Sequence, residues 1–199
     1  MRLRSPFRRP LGAAVLAMLL WSPHPAAAEP SEEDRNAARA LVIEGRAKLA
    51  AHDNEGTVFS MAGDSMLVGF NVPVPQPDAT ERALTTGRTV IQRFGPVAAR
   101  WKNEHGLSTG VGVGIESGEV VVGNVGAPSF MSYTIIGDPV NVAARLMQKA
   151  APNELLIGPR ASLSLHSLLG RSTALERREV VLKGKAEPVE VVSLRVAPA

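Results

Sequence analysis

An asparagine and an arginine stand four residues apart within SYTIIGDPVNVAARLMQKA, residues 132–150. This spacing places Asn141 and Arg145 on the same side of a helix. Asp138 and Pro139 mark the start of that helix, because Asp can cap a helix and Pro fits its first position. A solvated arginine is the ordinary alternative, but a guanidinium also spreads its charge well over phosphate oxygens. An apolar stripe on the other side predicts packing on a core: Val140, Ala143, Ala144 and Met147.

Two predicted turns carry further charged residues. Asp64 follows Gly63 in a pairing typical of a two-residue hairpin turn, where Asp is either a turn former or a metal ligand. Lys183, Gly184 and Lys185 lie between two predicted strands, either as an ordinary charged turn or as a second phosphate clamp. The types and positions of these side chains leave both alternatives open.

The glycines at 110, 112 and 114 lie inside a predicted strand that leads to another strand. A phosphate-binding glycine fingerprint instead leads from a strand into a helix, so this interpretation is disfavoured. Small residues at these positions predict that a helix, a partner chain or a ligand approaches the sheet closely.

The charge of the chain is concentrated at its start. The formal net charge is +3, and residues 1–28 hold four arginines and no acid, so the remainder carries a net charge of −1. A basic footprint for nucleic acid is therefore not supported, and we expect no nucleic-acid partner. A length of 199 residues with 45% hydrophobic content suits one globular domain, and the chain has no cysteine for a disulfide framework.

Residues 1–28 also have the three parts of a secretory signal: a basic start, the apolar run LGAAVLAMLLW at 11–21, and AAA at 26–28. Eleven apolar residues are fewer than the roughly 20 that span a membrane. We therefore expect membrane contact only through this leader, if it stays uncleaved, and a folded domain over 29–199. A genuine leader predicts a periplasmic or anchored protein, whereas a miscalled start predicts a cytoplasmic one.

The elements that must position these residues follow from the hydrophobic pattern. We expect helices and strands to alternate, with antiparallel hairpins predominating, in an α+β fold whose sheet is covered by helices on one side. The predicted elements are a helix over 31–56, two strands around Gly63-Asp64, a helix over Thr80–His105 that is broken or bent near Gly95-Pro96, two strands around Ser117-Gly118 and a third at MSYTIIG, a helix from Pro139, a strand at ELLIG, a minor helix over 160–169, and strands at REVVLKGK and EPVEVVSLRV.

The order of four motifs resembles the catalytic domain of class III nucleotidyl cyclases, the adenylate and guanylate cyclases. These motifs are GDSMLVGF, GVGVGIESGEVVVGNVG, SYTIIGDPVNVAARL and LKGKAEPVEVVSL, within about residues 35–196. The resemblance implies a ferredoxin-like antiparallel sheet, and a head-to-tail dimer with ATP or GTP bound between the two domains. The partner is a second copy or another cyclase domain, and the metal cofactor is Mg²⁺ or Mn²⁺.

The resemblance also implies roles for individual residues. Asp64 matches a metal-binding aspartate, while Asn141 and Arg145 match the pair that orients the ribose and stabilises the transition-state phosphate. Thr134 matches a position that contacts the purine edge, and Ser60 stands where the family usually has an adenine-recognising lysine. Lys183 or Lys185 matches the lysine that contacts the triphosphate.

One departure from the family pattern weighs on function. The family domain begins with a strand that ends in the first metal-binding aspartate, and nothing similar precedes residue 35, so a central strand is expected to be missing. The first hypothesis is a cyclase that makes cyclic AMP as a homodimer. The second is a degenerate domain that dimerises with, or regulates, a complete cyclase. A third is a purely structural dimerisation module.

Overall fold

A computed structural model describes residues 11–21, 54–62, 64–127, 129–166 and 175–197. Its strands are β1 (Leu11–Trp21), β2 (Thr57–Ala62), β3 (Ser65–Phe70), β4 (Gly110–Ala127), β5 (Phe130–Ile136), β6 (Glu154–Ile157), β7 (Leu175–Val180) and β8 (Val189–Arg195). Its helices are α1 (Ala79–His105), α2 (Asp138–Lys149) and α3 (Pro159–Ser164). Most of the helix predicted over 31–56 lies outside the described residues, which begin again at residue 54. None of the described helices has the length and apolar character needed to cross a membrane.

The eight strands form one sheet. Seven of them follow the order β2-β3-β1-β4-β6-β8-β7, and the eighth, β5, pairs only with β4. The β4–β6 pair is parallel, and the other pairs are antiparallel. Ala62 pairs with Ser65, so the predicted hairpin with two residues between its strands is confirmed, although Gly63 lies outside the described residues. The predicted α+β class with predominantly antiparallel pairing is confirmed as well.

The helices use both faces of the sheet, where the sequence predicted one. A Cβ on Gly87 of α1 would meet the side chains of Leu155, Val113 and Leu16, whereas α2 packs over Gly112 and Gly114. Successive residues of a strand point to opposite faces, so α1 and α2 lie on opposite sides of β4. The glycines of β4 allow α2 to pack on the face opposite α1, because a helix can approach a strand closely only where side chains are absent.

An interior position of the sheet, next to the middle strand β4, is occupied by β1, the apolar run that also resembles a signal sequence. It pairs with β3 on one side and with β4 on the other, and Ala14, Leu16 and Met18 are buried in the core. The sequence prediction that a central strand is missing is therefore wrong. An apolar strand in the interior of a sheet and the apolar part of a signal sequence have similar compositions, so the pattern alone could not distinguish them.

The long helix α1 continues through Pro96, so the break predicted there is not formed. Phe94 is buried just before the proline, and Val97 and Ala98 pack against the same core just after it. These contacts hold both sides of the proline on the same core, so the helix continues although proline removes one helical hydrogen bond.

The strand β4 runs for 18 residues through Ser117-Gly118, where the sequence predicted a turn. Its first part pairs with β1 and β6, and residues 121–127 pair with β5. The two strands predicted on either side of Ser117-Gly118 are therefore one strand, and the predicted meander of three strands is a hairpin of β4 and β5. Gly118 serves close packing instead of a turn, because a Cβ there would stand 2.7 Å from Pro139 Cγ and 2.8 Å from Arg160 Nη1.

Candidate active site

The helix α2 presents Asn141 and Arg145, the two residues predicted to share one helix face. Its buried side contains Val142, Ala143, Leu146 and Met147, while Asn141 is exposed and Arg145 is half-buried. Pro139 lies in the first turn, as predicted, but the residue before the helix is Gly137, and no side chain caps the helix. The expectation that Asp138 caps the helix is wrong, because its carboxylate is engaged elsewhere.

The glycines of β4 seat this helix against the sheet. A Cβ on Gly114 would stand 2.5 Å from the amide nitrogen of Met147, and one on Gly112 would stand 3.3 Å from Ala150 Cβ. The close approach predicted for these glycines is therefore confirmed, and its partner is α2. The position of Asn141 and Arg145 relative to the sheet depends on this contact.

The guanidinium of Arg145 lies against the turn formed by Lys183, Gly184 and Lys185. A Cβ on Gly184 would stand 3.4 Å from Nη1 and 3.5 Å from Nη2 of Arg145. Gly184 has a φ of 78°, a backbone conformation that favours glycine, and the amide of Lys185 donates to the carbonyl oxygen of Leu182 at 3.1 Å. Two segments that are far apart in sequence thus bring three cations together.

The charges in this cluster are only partly compensated. Lys185 Nζ donates to both carboxylate oxygens of Asp138, at 3.1 and 3.2 Å. Within the part of the chain that the structure describes, neither Arg145 nor Lys183 has an ion-pair partner. A half-buried guanidinium beside an uncompensated ammonium favours an anion, and planar guanidinium groups suit phosphate.

Ser60 and Thr134 lie on two hairpins that contact each other. Phe59 and Tyr133 stack with ring centroids 5.8 Å apart, and Ser60 and Thr134 follow them in sequence. Ser60 is exposed, and Thr134 is half-buried opposite Gly123, where a Cβ would meet nothing within 4 Å. The two residues predicted to contact a purine are thus on neighbouring hairpins with open space beside Thr134.

Asp64 lies at the opposite end of the sheet from the start of α2. Its neighbour Ser65 pairs with Leu19, which in turn pairs with Gly112. Gly137, just before α2, instead lies against Glu119 and Val120. The span from residue 112 to residue 120 corresponds to about 26 Å of extended strand. Asp64 is also on the β3 side of the sheet and the lysine turn on the β7–β8 side, so one chain does not bring Asp64 to Arg145.

Two buried carboxylates near this region, Glu116 and Glu154, were not predicted. Glu116 is 5% exposed, and its Oε1 accepts hydrogen bonds from the amides of Ser117 (2.8 Å) and Ala161 (3.0 Å). Burial raises the pKa of Glu116, and those two hydrogen bonds and the charge of Arg160 oppose the shift. An acid that follows an apolar alternation, as in GVGIES, is the signal that could have identified Glu116.

A family profile described as "Adenylate and Guanylate cyclase catalytic domain" matches residues 48–194. The chain belongs to this cyclase family. The recognition made from the four motifs is thereby confirmed.

Relatives at the sequence level are longer proteins. An uncharacterised protein of Mycobacterium tuberculosis is 34% identical over 140 residues, which is 69% of this chain and 24% of that protein. Adenylate cyclase 1 of Rhizobium meliloti is 32% identical over 146 residues, covering 67% of this chain and 22% of that protein. The cyclase domain thus spans about a quarter of the length of these curated relatives.

Solved structures share the fold. The adenylyl cyclase CyaB from P. aeruginosa superposes with a TM-score of 0.79 at 21% identity, covering 95% of this chain and 96% of that one. The catalytic core of a rhodopsin-guanylyl cyclase, solved in complex with ATPαS, gives a TM-score of 0.74 at 18% identity and covers 98% and 100% of the two chains. A dimeric guanylyl cyclase domain from Blastocladiella emersonii gives 0.68 at 18% identity, with 94% and 98% covered. These similarities confirm the nucleotide cyclase fold.

Cyclases of this family use divalent metal ions, and the donor set of this cyclase domain matches such a site only in part. Asp64 is an exposed carboxylate at a hairpin tip. The neighbouring strand β1 contains no acid, and the described ranges hold no group of three His, Cys, Asp or Glu side chains that could bind a metal ion. Among the described residues, β1 therefore supplies no carboxylate that could complete a metal site with Asp64.

Proposed function

We propose that this chain is an adenylate cyclase-type domain that converts ATP into cyclic AMP and pyrophosphate, for cyclic-nucleotide signalling, in a head-to-tail dimer. The observation that carries the proposal is the placement of Arg145 beside the lysine turn at one end of the sheet and Asp64 at the other. A two-fold arrangement of two chains brings the Arg145 end of one sheet to the Asp64 end of the other.

The reaction is an intramolecular substitution at phosphorus. The ribose 3′-oxygen attacks the α-phosphorus and gives its proton to solvent water, while the bond from phosphorus to the bridging oxygen breaks and its electron pair leaves with pyrophosphate. Arg145 and Lys183 would stabilise the negative charge on the phosphate oxygens, because both cations lack a carboxylate partner in the described residues. Asn141, exposed on the same helix face, would hold the ribose. The carboxylates of this chain fit a metal site only in part, so these roles rest on its cations and on the Asn141 amide.

The nucleotide base would bind between the two hairpins. Thr134 has a hydroxyl and no negative charge, which suits adenine, whose edge offers both a donor and acceptors. Ser60 replaces the lysine expected for adenine recognition, so its shorter side chain would contribute less. Selectivity for ATP over GTP therefore rests mainly on Thr134 in this proposal, and Thr134→Asp should shift the ratio of the two activities.

An apolar surface supports the assembly. Val121, Val125 and Ile136 are 44, 44 and 51% exposed. Val121 pairs directly with Ile136 and Val125 with Ser132, so these side chains share one face of the β4–β5 hairpin with Thr134. Exposed apolar patches of this kind mark interaction sites, and a second cyclase domain is the proposed occupant.

The absence of an acid from β1 favours a second candidate function. In this alternative the chain pairs with a complete cyclase domain, whose own aspartates bind the metal, and supplies Asn141, Arg145 and Lys183 across the interface. Such a domain needs no first metal-binding aspartate of its own. The two candidates share the geometry at Arg145 and differ in where the metal is held.

One experiment tests both candidates on the full chain, since β1 is part of the sheet. Product formation from ATP and from GTP with Mn²⁺ is measured by mass spectrometry for Asp64→Asn, for Arg145→Ala, and for the two variants refolded together. A composite homodimer predicts two inactive variants and about a quarter of wild-type activity in the mixture, because half of the dimers regain one intact site. An active Arg145→Ala variant would overturn the proposal.

The second candidate predicts a different outcome. The wild-type chain alone would be inactive, and it would restore turnover to a cyclase that has intact metal ligands but an alanine at its own catalytic arginine. The Arg145→Ala variant of this chain is the matched control, and it would restore nothing. No turnover in any of these mixtures would contradict both candidates.

A further inference from the structure

We propose that the ion pair between Asp138 and Lys185 is a latch that holds the lysine turn on α2 and leaves Lys183 as the cation that meets the triphosphate. The pair joins the first residue of α2 to the turn between β7 and β8. The effect on the nucleotide rests on the proposed function, whereas the latch itself can be measured without it.

The geometry separates the roles of the two lysines. Lys185 Nζ donates to both oxygens of Asp138, and the amide of Lys185 closes the turn onto Leu182. Lys183, on the other side of Gly184, is exposed, and no ion pair of the described residues includes it. Resemblance alone left Lys183 and Lys185 as equal candidates, and these contacts assign them different tasks.

The latch also sets the surroundings of Arg145. Gly184 faces the Arg145 guanidinium, 3.4 Å from where a Cβ on this glycine would stand, and it lies between the two lysines. With Lys185 fixed to the first residue of α2, the turn is tied to the same helix that carries Arg145. The phosphate-binding cations therefore move with α2 as one unit, and Asp138 and Lys185 are positioning residues.

The direction in which Asp138→Asn changes the KM for ATP distinguishes the latch from a purely electrostatic effect. Removing a negative charge near a polyanion binding site should strengthen ATP binding if charge alone mattered. The latch predicts the opposite, because the Lys185 end of the turn is no longer held on α2. Leu182 stays packed in the same cluster as Val142 and Leu146. We expect the KM for ATP to rise roughly two- to five-fold, the range that the strength of an exposed ion pair permits, with a smaller change in kcat.

A matched control removes the same charge without breaking an ion pair. Glu187 is exposed two residues after Lys185, and no described ion pair includes it. Glu187→Gln should leave KM unchanged or lower it. The double variant Asp138→Asn with Lys185→Met should be no worse than either single variant, because both break one contact. Since exposed pairs contribute little stability, all of these variants should keep their melting temperatures within about 2 °C.

Acetylation kinetics test the latch independently of activity. The full chain is treated with N-hydroxysuccinimidyl acetate, and the rates at Lys183 and Lys185 are read by mass spectrometry. In the wild type Lys185 should react several-fold more slowly than Lys183, because Asp138 shields its ammonium, and Asp138→Asn should bring the two rates together. Equal rates in the wild type, or a KM that falls in Asp138→Asn, would overturn the latch. A wild type that neither binds nor converts ATP would overturn the proposed function, and the acetylation rates would still decide whether the latch exists.

Discussion

Gly114 of β4 lies directly beneath the backbone of α2, so that a Cβ added to it would stand 2.5 Å from the amide nitrogen of Met147. Because the obstacle is backbone, Gly114→Ala must push α2 away from the sheet. We expect a loss of at least about 1–3 kcal/mol in the free energy of unfolding, measured by urea denaturation. Gly123→Ala is the control, since a Cβ there meets nothing within 4 Å, and it should change stability by less than about 0.5 kcal/mol. Equal stability of the two variants would show that α2 does not pack as described.

Arg145 should matter for turnover and little for stability. It is half-buried and has no ion-pair partner among the described residues. Arg145→Ala should lower kcat about 100- to 1,000-fold, the usual effect of removing one donor to a developing oxyanion. Arg145→Lys should recover only part of this loss, because an ammonium lacks the planar fork of the guanidinium. Lys149→Ala, in the last turn of the same helix, should leave kcat unchanged.

Glu116 should make the stability of the protein depend on pH. Its pKa is raised by burial above the ordinary value of 4.5, so the folded state binds this proton more tightly than the unfolded state. The contribution of Glu116 to stability is therefore full below pH 4.5 and falls as the pH rises through the raised pKa. The difference in unfolding free energy between Glu116→Gln and wild type should shift in favour of the variant from pH 4 to 7. Glu119→Gln, which removes a carboxylate at an exposed position of the same strand, is the matched control for the loss of one negative charge.

Glu154 should be important for stability through its contacts. It is 1% exposed, and it accepts hydrogen bonds from Ser193 Oγ at 2.5 Å and the Ala151 amide at 2.6 Å and pairs with Arg178 at 3.0 Å. Glu154→Ala leaves these donors without their acceptor and should cost about 2–4 kcal/mol in urea denaturation.

A neighbouring ion pair provides the control for Glu154. Glu190→Gln breaks the exposed pair with Arg177 and should cost less than about 1 kcal/mol. If both variants lost the same stability, burial would not be the reason for the importance of Glu154.

The apolar face of the β4–β5 hairpin should be needed for assembly. Val121→Asp places a charge on this face and should shift the protein to a monomer in analytical ultracentrifugation, with loss of turnover. Leu163→Asp is the control, because Leu163 is 75% exposed on α3, away from this hairpin in sequence. A Val121→Asp variant that remains dimeric would exclude this face as the interface.

The amino-acid sequence by itself determined the local parts of the site. The proline in the first turn of α2, the face shared by Asn141 and Arg145, and the hairpin at Asp64 were predicted correctly, because each depends on residues within a few positions of one another. The family could be recognised for the same reason, since its motifs are short, local and ordered along the chain.

Tertiary structure decided what depends on distant partners. The run 11–21 has a composition that fits a signal sequence or a buried strand, and pairing with β3 and β4 made it an interior strand of the sheet. β4 runs through Ser117-Gly118, and α1 through Pro96, because contacts from other elements outweigh the local preference for a turn or a break. The contact of Lys185 with Asp138 and the separation of Asp64 from Arg145 follow from strand order, which short-range patterns do not encode.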